Sequence, residues 1–137
     1  MDTLSPKERS ARMALVRSRD TKPEMLVRRM VHSMGFRYRL HVRGLSGTPD
    51  LVFPRLRKVI FVHGCFWHRH IGCALCRLPK SRLEFWKPKL EQNRLRDQKH
   101  QRALRRAGWR LLVVWECEIT KIANLKRKLT KFLCAPH

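Results

Sequence analysis

Acid is what this sequence has least of. Asp and Glu together number 10 in 137 residues, against 32 Lys and Arg, for a formal charge of +22. A compact domain so short of acid repels itself, and its natural counter-charge is a polyanion, above all nucleic acid. A merely soluble basic surface needs less charge than this. Long apolar runs are also lacking: none reaches the ~18 residues of a membrane-spanning helix. The opening Met-Asp-Thr-Leu-Ser-Pro-Lys has no apolar signal-peptide core. A long basic amphipathic helix with a broad apolar face is missing too, which argues against a membrane partner. The expected location is the cytoplasm. Repeats and linkers are absent, so the length implies one domain around one core. The five cysteines are odd in number. Without a secretion signal they point to metal ligands and free thiols rather than a disulfide framework.

What is present is concentrated in residues 59–73, Val-Ile-Phe-Val-His-Gly-Cys-Phe-Trp-His-Arg-His-Ile-Gly-Cys. The stretch opens as a buried-looking strand. It then holds three histidines, two cysteines and two adjacent aromatics between His63 and Cys73. Thiolates and imidazoles that close together suit a transition metal. Cys65, His70, Cys73 and Cys117 would make a tetrahedral Cys3His zinc site, with Cys76 a rival for Cys73. Buried cysteines without a metal are the plain alternative. Phe66-Trp67, beside such a site in so basic a chain, suggests side chains that enter a stack of bases. Aromatics are more often core. These two are adjacent, however, and cannot share one side of a regular strand.

The rest of the chain supplies a frame. Residues 1–19 are polar and basic, an arm ahead of a single domain over 20–137. Thr21-Lys-Pro-Glu24 is a capping box with an early proline, and Gly35 is a stop. Val27, Met30, Val31 and Met34 follow a helical period, so a helix is expected between them. Phe36, Tyr38, Leu40 and Val42 alternate with basic residues, which predicts a half-buried strand. Leu51–Phe53 and Val59–His63 read as two more strands, and Arg110–Trp115 as a fourth. Ser81-Arg-Leu-Glu84 is a second capping box, with Pro88 expected to start a long helix ending near Gly108. A last helix carries Leu125, Leu129, Phe132 and Leu133, with Cys134 expected as a buried apolar residue. The order α-β-β-β-α-β-α gives an α/β domain with a mixed sheet between helices.

Asp50 follows Pro49 at the entry to one strand, and His63 ends the next. Nucleases of the PD-(D/E)xK type set an acid in this way, then acid-x-Lys on the following strand. Here Phe61-Val62-His63 stands in that place, so the second acid and the lysine are missing. An acid that binds Mg²⁺ and a histidine that activates water or steadies a phosphate would suffice for hydrolysis. Taken alone, Asp50 could be a turn residue, His63 structural, and Glu24 a cap.

Taken together these motifs resemble the very short patch repair (Vsr) endonucleases of bacteria. The resemblance rests on Thr21-Lys-Pro-Glu24, Gly47-Thr-Pro-Asp50, Ile60-Phe-Val-His-Gly-Cys-Phe-Trp-His68, Glu84-Phe-Trp86, Arg96-Asp97, Gly108-Trp109 and Val114-Trp-Glu-Cys117. It runs from about residue 8 to 134. It implies a restriction-endonuclease-like fold with a structural zinc. The implied activity is Mg²⁺-dependent nicking 5′ to the T of a T·G mismatch left by deamination of 5-methylcytosine. By position, Asp50 and the backbone carbonyl of Val62 would bind Mg²⁺. His63 and His68 would be catalytic, with Glu24 and Asp97 near the metal-bound waters. The implied zinc ligands are Cys65, His70, Cys73 and Cys117. Phe66, Trp67 and Trp86 would wedge into the duplex, with Met13 approaching from the minor groove. Expected partners are mismatched duplex DNA and other mismatch-repair proteins, for a monomer bound to the nucleoid. Two departures stand out. Val62 replaces a common threonine, which a backbone ligand tolerates. Two residues separate His70 from Cys73 where one is usual, which keeps Cys76 open. A zinc-stabilised DNA-binding module without catalysis, or a nuclease with another target, would share much of this pattern.

Overall fold

A computed structural model describes residues 21–40, 42–66, 68–70, 72–73 and 82–136. The basic arm with Met13, and Trp67, Cys76 and Ser81, lie outside the described residues.

Helix α1 spans Lys22–Ser33. Thr21 caps it, its hydroxyl accepting from the Glu24 N–H at 3.4 Å, and Pro23 pre-sets the first turn. Gly35, at φ +93°, turns the chain out. The buried face carries Val27 and Val31 and also two charges, Glu24 and Arg28.

The sheet runs in the order β1-β2-β3-β4, with β1 at Arg39–Leu40, β2 at Leu51–Phe53, β3 at Lys58–His63 and β4 at Arg110–Trp115. The first two pairings are antiparallel; β3 and β4 are parallel, in register from Lys58↔Arg110 to His63↔Trp115. Helix α2, Leu83–Arg106, makes the crossover. A short 3₁₀ helix, Glu116–Thr120, leads into α3, Ile122–Cys134.

Alternation along the strands sends side chains to two cores. Leu51, Phe53, Ile60 and Val114 meet Val27 and Val31 of α1 and Leu125, Leu129 and Leu133 of α3. Val52, Val59 and Phe61 meet Leu104 of α2 on the other face. The sheet is therefore covered on both faces, as expected from the near-continuous apolar run of β3. By the same alternation Val62 lies towards α1 and His63 towards α2. No helix among the described residues is long and apolar enough to cross a membrane.

Three expectations need correction. Among the described residues, the strand expected over Phe36–Val42 pairs only at Arg39 and Leu40, against a neighbour β2 that is three residues long. Phe36 and Tyr38 still pack on the first core, and Val42 on the second, from outside the ladder. Pro88 does not start α2: the helix begins at Leu83, after Arg82 in a left-handed conformation that gives no side-chain cap. The proline ring costs one backbone hydrogen bond near the helix start, where the carbonyl it would have used is still close to solvent. Cys134 is exposed at the last residue of α3 rather than buried.

Candidate active site and metal centre

The start of β2 and the ends of β3 and β4 lie at one edge of the sheet. Asp50, His63 and Glu116 meet there, with the N-terminus of α1 on one side and the middle of α2 on the other. They line a cleft of about 960 Å³ with Glu24, Phe66, His68, Asn93, Asp97 and His100.

Asp50 is fixed by the strand beside it. Its Oδ2 accepts the Val62 N–H at 2.7 Å. Burial, reinforced by a hydrogen-bonded contact with the Glu24 carboxyl, pushes its pKa up to about 8. Two touching carboxyl groups are a poor place for two negative charges and a good place for a hard cation with oxygen ligands. Glu24 itself is buried and ion-paired with Arg28 one turn along α1. The donors at this point therefore fit Mg²⁺ by type, with the Val62 carbonyl on the adjoining strand.

On the α2 side, His63 is buried against Phe61 and stacks on His68, with ring centroids 3.8 Å apart and planes 9° off parallel. Burial and then the neighbouring His68 depress the His63 pKa to about 3, so this ring is neutral at physiological pH. The Nδ1 of His68 pairs with the Asp97 carboxylate. If His68 is neutral, a proton on Nδ1 leaves Nε2 as the basic nitrogen.

Beyond His63 the chain turns into the cysteine-histidine group. Cys65, His70, Cys73 and Cys117 offer ligand atoms that all lie within 4.8 Å of one another. The His70 Nδ1 stands 3.6 Å from the Cys65 sulfur and 3.5 Å from that of Cys117. A nitrogen and a sulfur bound to one tetrahedral zinc at ordinary bond lengths stand about 3.6 Å apart. The donor set and spacing therefore fit zinc. Burial raises the pKa of Cys65 to about 12 and moves that of Cys117 in the same direction. A metal is what would make thiolates favourable here. The loop is held from both ends. The Cys65 N–H donates to Glu116 at 3.2 Å, the His70 N–H to the Cys65 carbonyl at 3.0 Å, and the His70 ring stacks on Trp115 at 4.2 Å.

At the mouth of the cleft Phe66 meets Trp86 edge-on, with centroids 5.8 Å apart. Phe85 packs against Trp86 at 5.1 Å, and Arg82 and Lys89 lie over these rings. Trp67 and Met13, the other expected wedge residues, fall outside the described residues, as does Cys76.

Four residues at this edge escaped the sequence reading as members of the site. Asn93 is only 9 % exposed and lines the cleft one turn before Asp97. The i, i+4 spacing was the available signal. Phe85, 44 % exposed, was legible only as part of the Glu84-Phe-Trp86 run. Glu116 reaches the cysteine-histidine loop from the end of β4. His100 packs so closely on Gly47 that an added Cβ there would stand 2.8 Å from it, so this glycine is required both by contact and by its φ of +75°.

A mixed sheet between helices with this edge cleft defines the chain as endonuclease-like in fold. It is similar to a solved homing endonuclease, the I-Bth0305I catalytic domain, with a TM-score of 0.59 and 19% identity over 82% of this chain and 94% of that one. The family model described as "DNA mismatch endonuclease Vsr" matches residues 1–74. The type II nicking enzyme V.XorIIP of Xanthomonas oryzae pv. oryzae is 53% identical over 132 residues, covering 96% of each chain. The DNA mismatch endonuclease Vsr of Escherichia coli K12 is 37% identical over 131 residues, covering 92% of this chain and 83% of that one. The chain belongs to the Vsr family of DNA mismatch endonucleases.

Proposed function

We propose that this chain nicks duplex DNA at a T·G mismatch arising from 5-methylcytosine deamination, hydrolysing the phosphodiester 5′ to the mispaired T with Mg²⁺. The observation that carries the reading is one cleft lined by Asp50, Glu24, His63, His68 and Asp97, with Phe66 and Trp86 at its mouth.

Asp50 and the Val62 carbonyl would hold Mg²⁺, which when bound polarises the phosphate and lowers the pKa of its waters. Asp97 holds His68 through Nδ1, so that Nε2 takes the proton of the attacking water. His63, neutral and packed behind it, keeps that ring from rotating and can donate to a phosphate oxygen. Glu24 orients water from the α1 side. The zinc ligands Cys65, His70, Cys73 and Cys117 stiffen the loop that carries both Phe66 and His68, so mismatch entry and water activation share one rigid element. Phe66 and Trp86, with Trp67 and Met13, act as the wedge. A T·G wobble pair stacks less well than its neighbours, so opening it costs less than opening sound duplex, where unstacking takes a few kcal/mol per step. The charge of +22 supplies the contacts to phosphate. In this reading the protein works as a monomer in the bacterial cytoplasm, as one domain over 20–137 behind the basic arm 1–19, with duplex DNA as its partner and other mismatch-repair proteins alongside.

Incubating the protein and Mg²⁺ with a T·G duplex and a matched T·A duplex tests this. A single nick 5′ to T in the first alone is expected. Equal cutting of both would remove the mismatch specificity, and binding without any cut would leave a zinc-stabilised binding module.

A further inference from the structure

The turn that leads into Asp50 is held in a conformation that one of its residues resists. It covers residues 45–48 and closes with the Thr48 N–H donating to the Leu45 carbonyl at 3.1 Å. Gly47, at φ +75°, suits its place, but Thr48 is also left-handed, at φ +46°. A β-branched residue is an outlier there. Pro49 follows directly, and the residue before a proline is pressed towards extended backbone. Thr48 is exposed, so burial of its own side chain does not offset the strain. Such a conformation persists only where the surroundings impose it.

A close contact on this turn comes from α2. A Cβ added to Gly47 would stand 2.8 Å from the Cβ of His100, 3.1 Å from its Cγ and 3.4 Å from the Phe61 ring. The turn is thus pressed directly onto the helix, while Leu45 packs against the second core. Beyond Thr48, Pro49 is buried and Asp50 reaches the Val62 N–H. His100 lies one turn after Asp97 on the face of α2 that lines the cleft, and Asp97 pairs with His68. One helix therefore touches both sides of the site, His68 through Asp97 and the approach to Asp50 through His100.

We infer that His100 is a positioning residue: by its bulk it clamps the turn at Gly47, holds Thr48 left-handed, and so sets Asp50 at a fixed distance from His68. The imidazole nitrogens take no part in this. The functional half of the inference rests on the proposed role of Asp50 and His68 in one hydrolytic site. The clamp itself is tested without turnover.

Thr48→Asn is the probe, because asparagine enters the left-handed region at less cost. In the unaltered full chain it should raise the melting temperature by roughly 3–5 °C. In His100→Ala, where the turn is free to relax, the same substitution should bring less than about a third of that gain. Equal gains in both backgrounds, or none in either, would mean that His100 does not hold the turn and would overturn the inference. So would a His100→Ala protein that fails to fold, since that makes the side chain a core residue. On a T·G duplex, His100→Ala should lose about tenfold or more in turnover at unchanged duplex affinity; a 1 Å misplacement of a reacting group costs on the order of 100-fold. A folded His100→Ala that nicks at the unaltered rate overturns the inference. His100→Leu, which refills the space without a nitrogen, should recover most of the loss. If it folds and nicks no better than His100→Ala, the ring acts through its nitrogens and the clamp is wrong. Failure of the proposed function appears separately, as an unaltered protein that cuts neither duplex while the melting comparison still holds.

Discussion

Asp50 shows how a single side chain is made useful by being placed badly. A carboxyl group whose pKa is pushed up to about 8 by burial and by Glu24 opposes folding whenever it must ionise. In an unfolded chain the same group titrates near ~3.9. Between these two values the native state holds the proton more tightly than the unfolded state, so stability falls as pH rises. Its contribution is fully present below about pH 4 and is lost by about pH 8. Asp50→Asn, which cannot ionise, should therefore melt at a higher temperature than the unaltered protein at pH 8 when no Mg²⁺ is added and zinc is retained. The gap should shrink towards pH 5. Adding Mg²⁺ at pH 8 should narrow it, because the cation relieves the charge that the asparagine avoids. Melting curves at three pH values decide the point. A gap that is flat with pH would mean that Asp50 is already ionised in the folded protein. His63 has the opposite displacement, down to about 3. Its stabilising contribution is present above ~6.5 and fades as pH falls to about 3. It is common to both proteins and cancels in the comparison.

The elements show which sequence signals report structure and which report only burial. α1 was legible because Thr21, Pro23 and Gly35 mark its ends independently of its apolar face. The same holds for β3, whose uninterrupted apolar run requires two covered faces. The alternation over Phe36–Val42 was different. It correctly marked Phe36, Tyr38 and Val42 as packed, but pairing depends on the length of a neighbour that local pattern cannot specify. Pro88 misled because a proline is most at home in a first turn, whereas α2 starts earlier, at Leu83, so that its first turns carry Phe85 and also Trp86, which meets Phe66 across the fold. Lys58 was invisible as a structural residue. It is 1 % exposed at the start of β3, and its ammonium donates to the carbonyls of Phe132, Leu133 and Ala135 at 2.7, 3.3 and 2.7 Å. A cation on the C-terminal carbonyls of α3 is well placed against the helix dipole. Lys58→Met keeps the stem and removes these bonds, and should cost about 2 kcal/mol, a fall in melting temperature of roughly 5 °C for a domain of this size. Nicking by the folded variant should be unchanged, because the cleft lies at the opposite end of β3. A loss of nicking at full stability would mean that the end of α3 is coupled to the cleft.

At the scale of the molecule the cysteine-histidine group joins parts of the chain that are far apart in sequence. Cys65, His70 and Cys73, which could hold a metal with Cys117, are close together and were legible from their spacing. Cys117 was legible only through the idea that two strands share a sheet, which the β3–β4 pairing bears out. Losing one ligand therefore loosens both the loop and the end of β4. Cys117→Ala should release zinc and unfold or aggregate the protein, since structural zinc contributes ~10–16 kcal/mol of binding free energy, comparable to the stability of a whole domain. Metal analysis beside a melting curve tests this. A folded, active protein with no zinc would refute it. His100 was not legible as a site residue, because nothing local says which face of a long polar helix will meet a cleft.

The same architecture separates two ways of holding DNA, and Trp86 distinguishes them. The basic surface, at +22, binds phosphate whatever the sequence, and weakens steeply with salt. In the proposed wedge role the aromatic group at the cleft mouth would sense the stack instead. Among the described residues, the two buried cores are built from Val27, Ile60, Leu125 and their neighbours on one face and Val59, Phe61 and Leu104 on the other, with Trp86 and Phe66 in neither. Both rings are half-buried against each other and against the start of α2. Trp86→Ala should therefore leave the melting temperature and the zinc content close to those of the unaltered protein. Its discrimination between T·G and T·A duplexes should fall by ~1–3 kcal/mol, the worth of one stacked base contact. Affinity for matched duplex, and the slope of that affinity against salt, should remain, because Lys and Arg supply them. Paired duplex titrations at two salt concentrations, with a melting curve as control, separate the possibilities. A variant that melts far lower yet still discriminates would make Trp86 a packing residue. One that loses affinity for both duplexes equally would make the aromatic group part of the general grip on DNA and leave mismatch sensing to another part of the cleft.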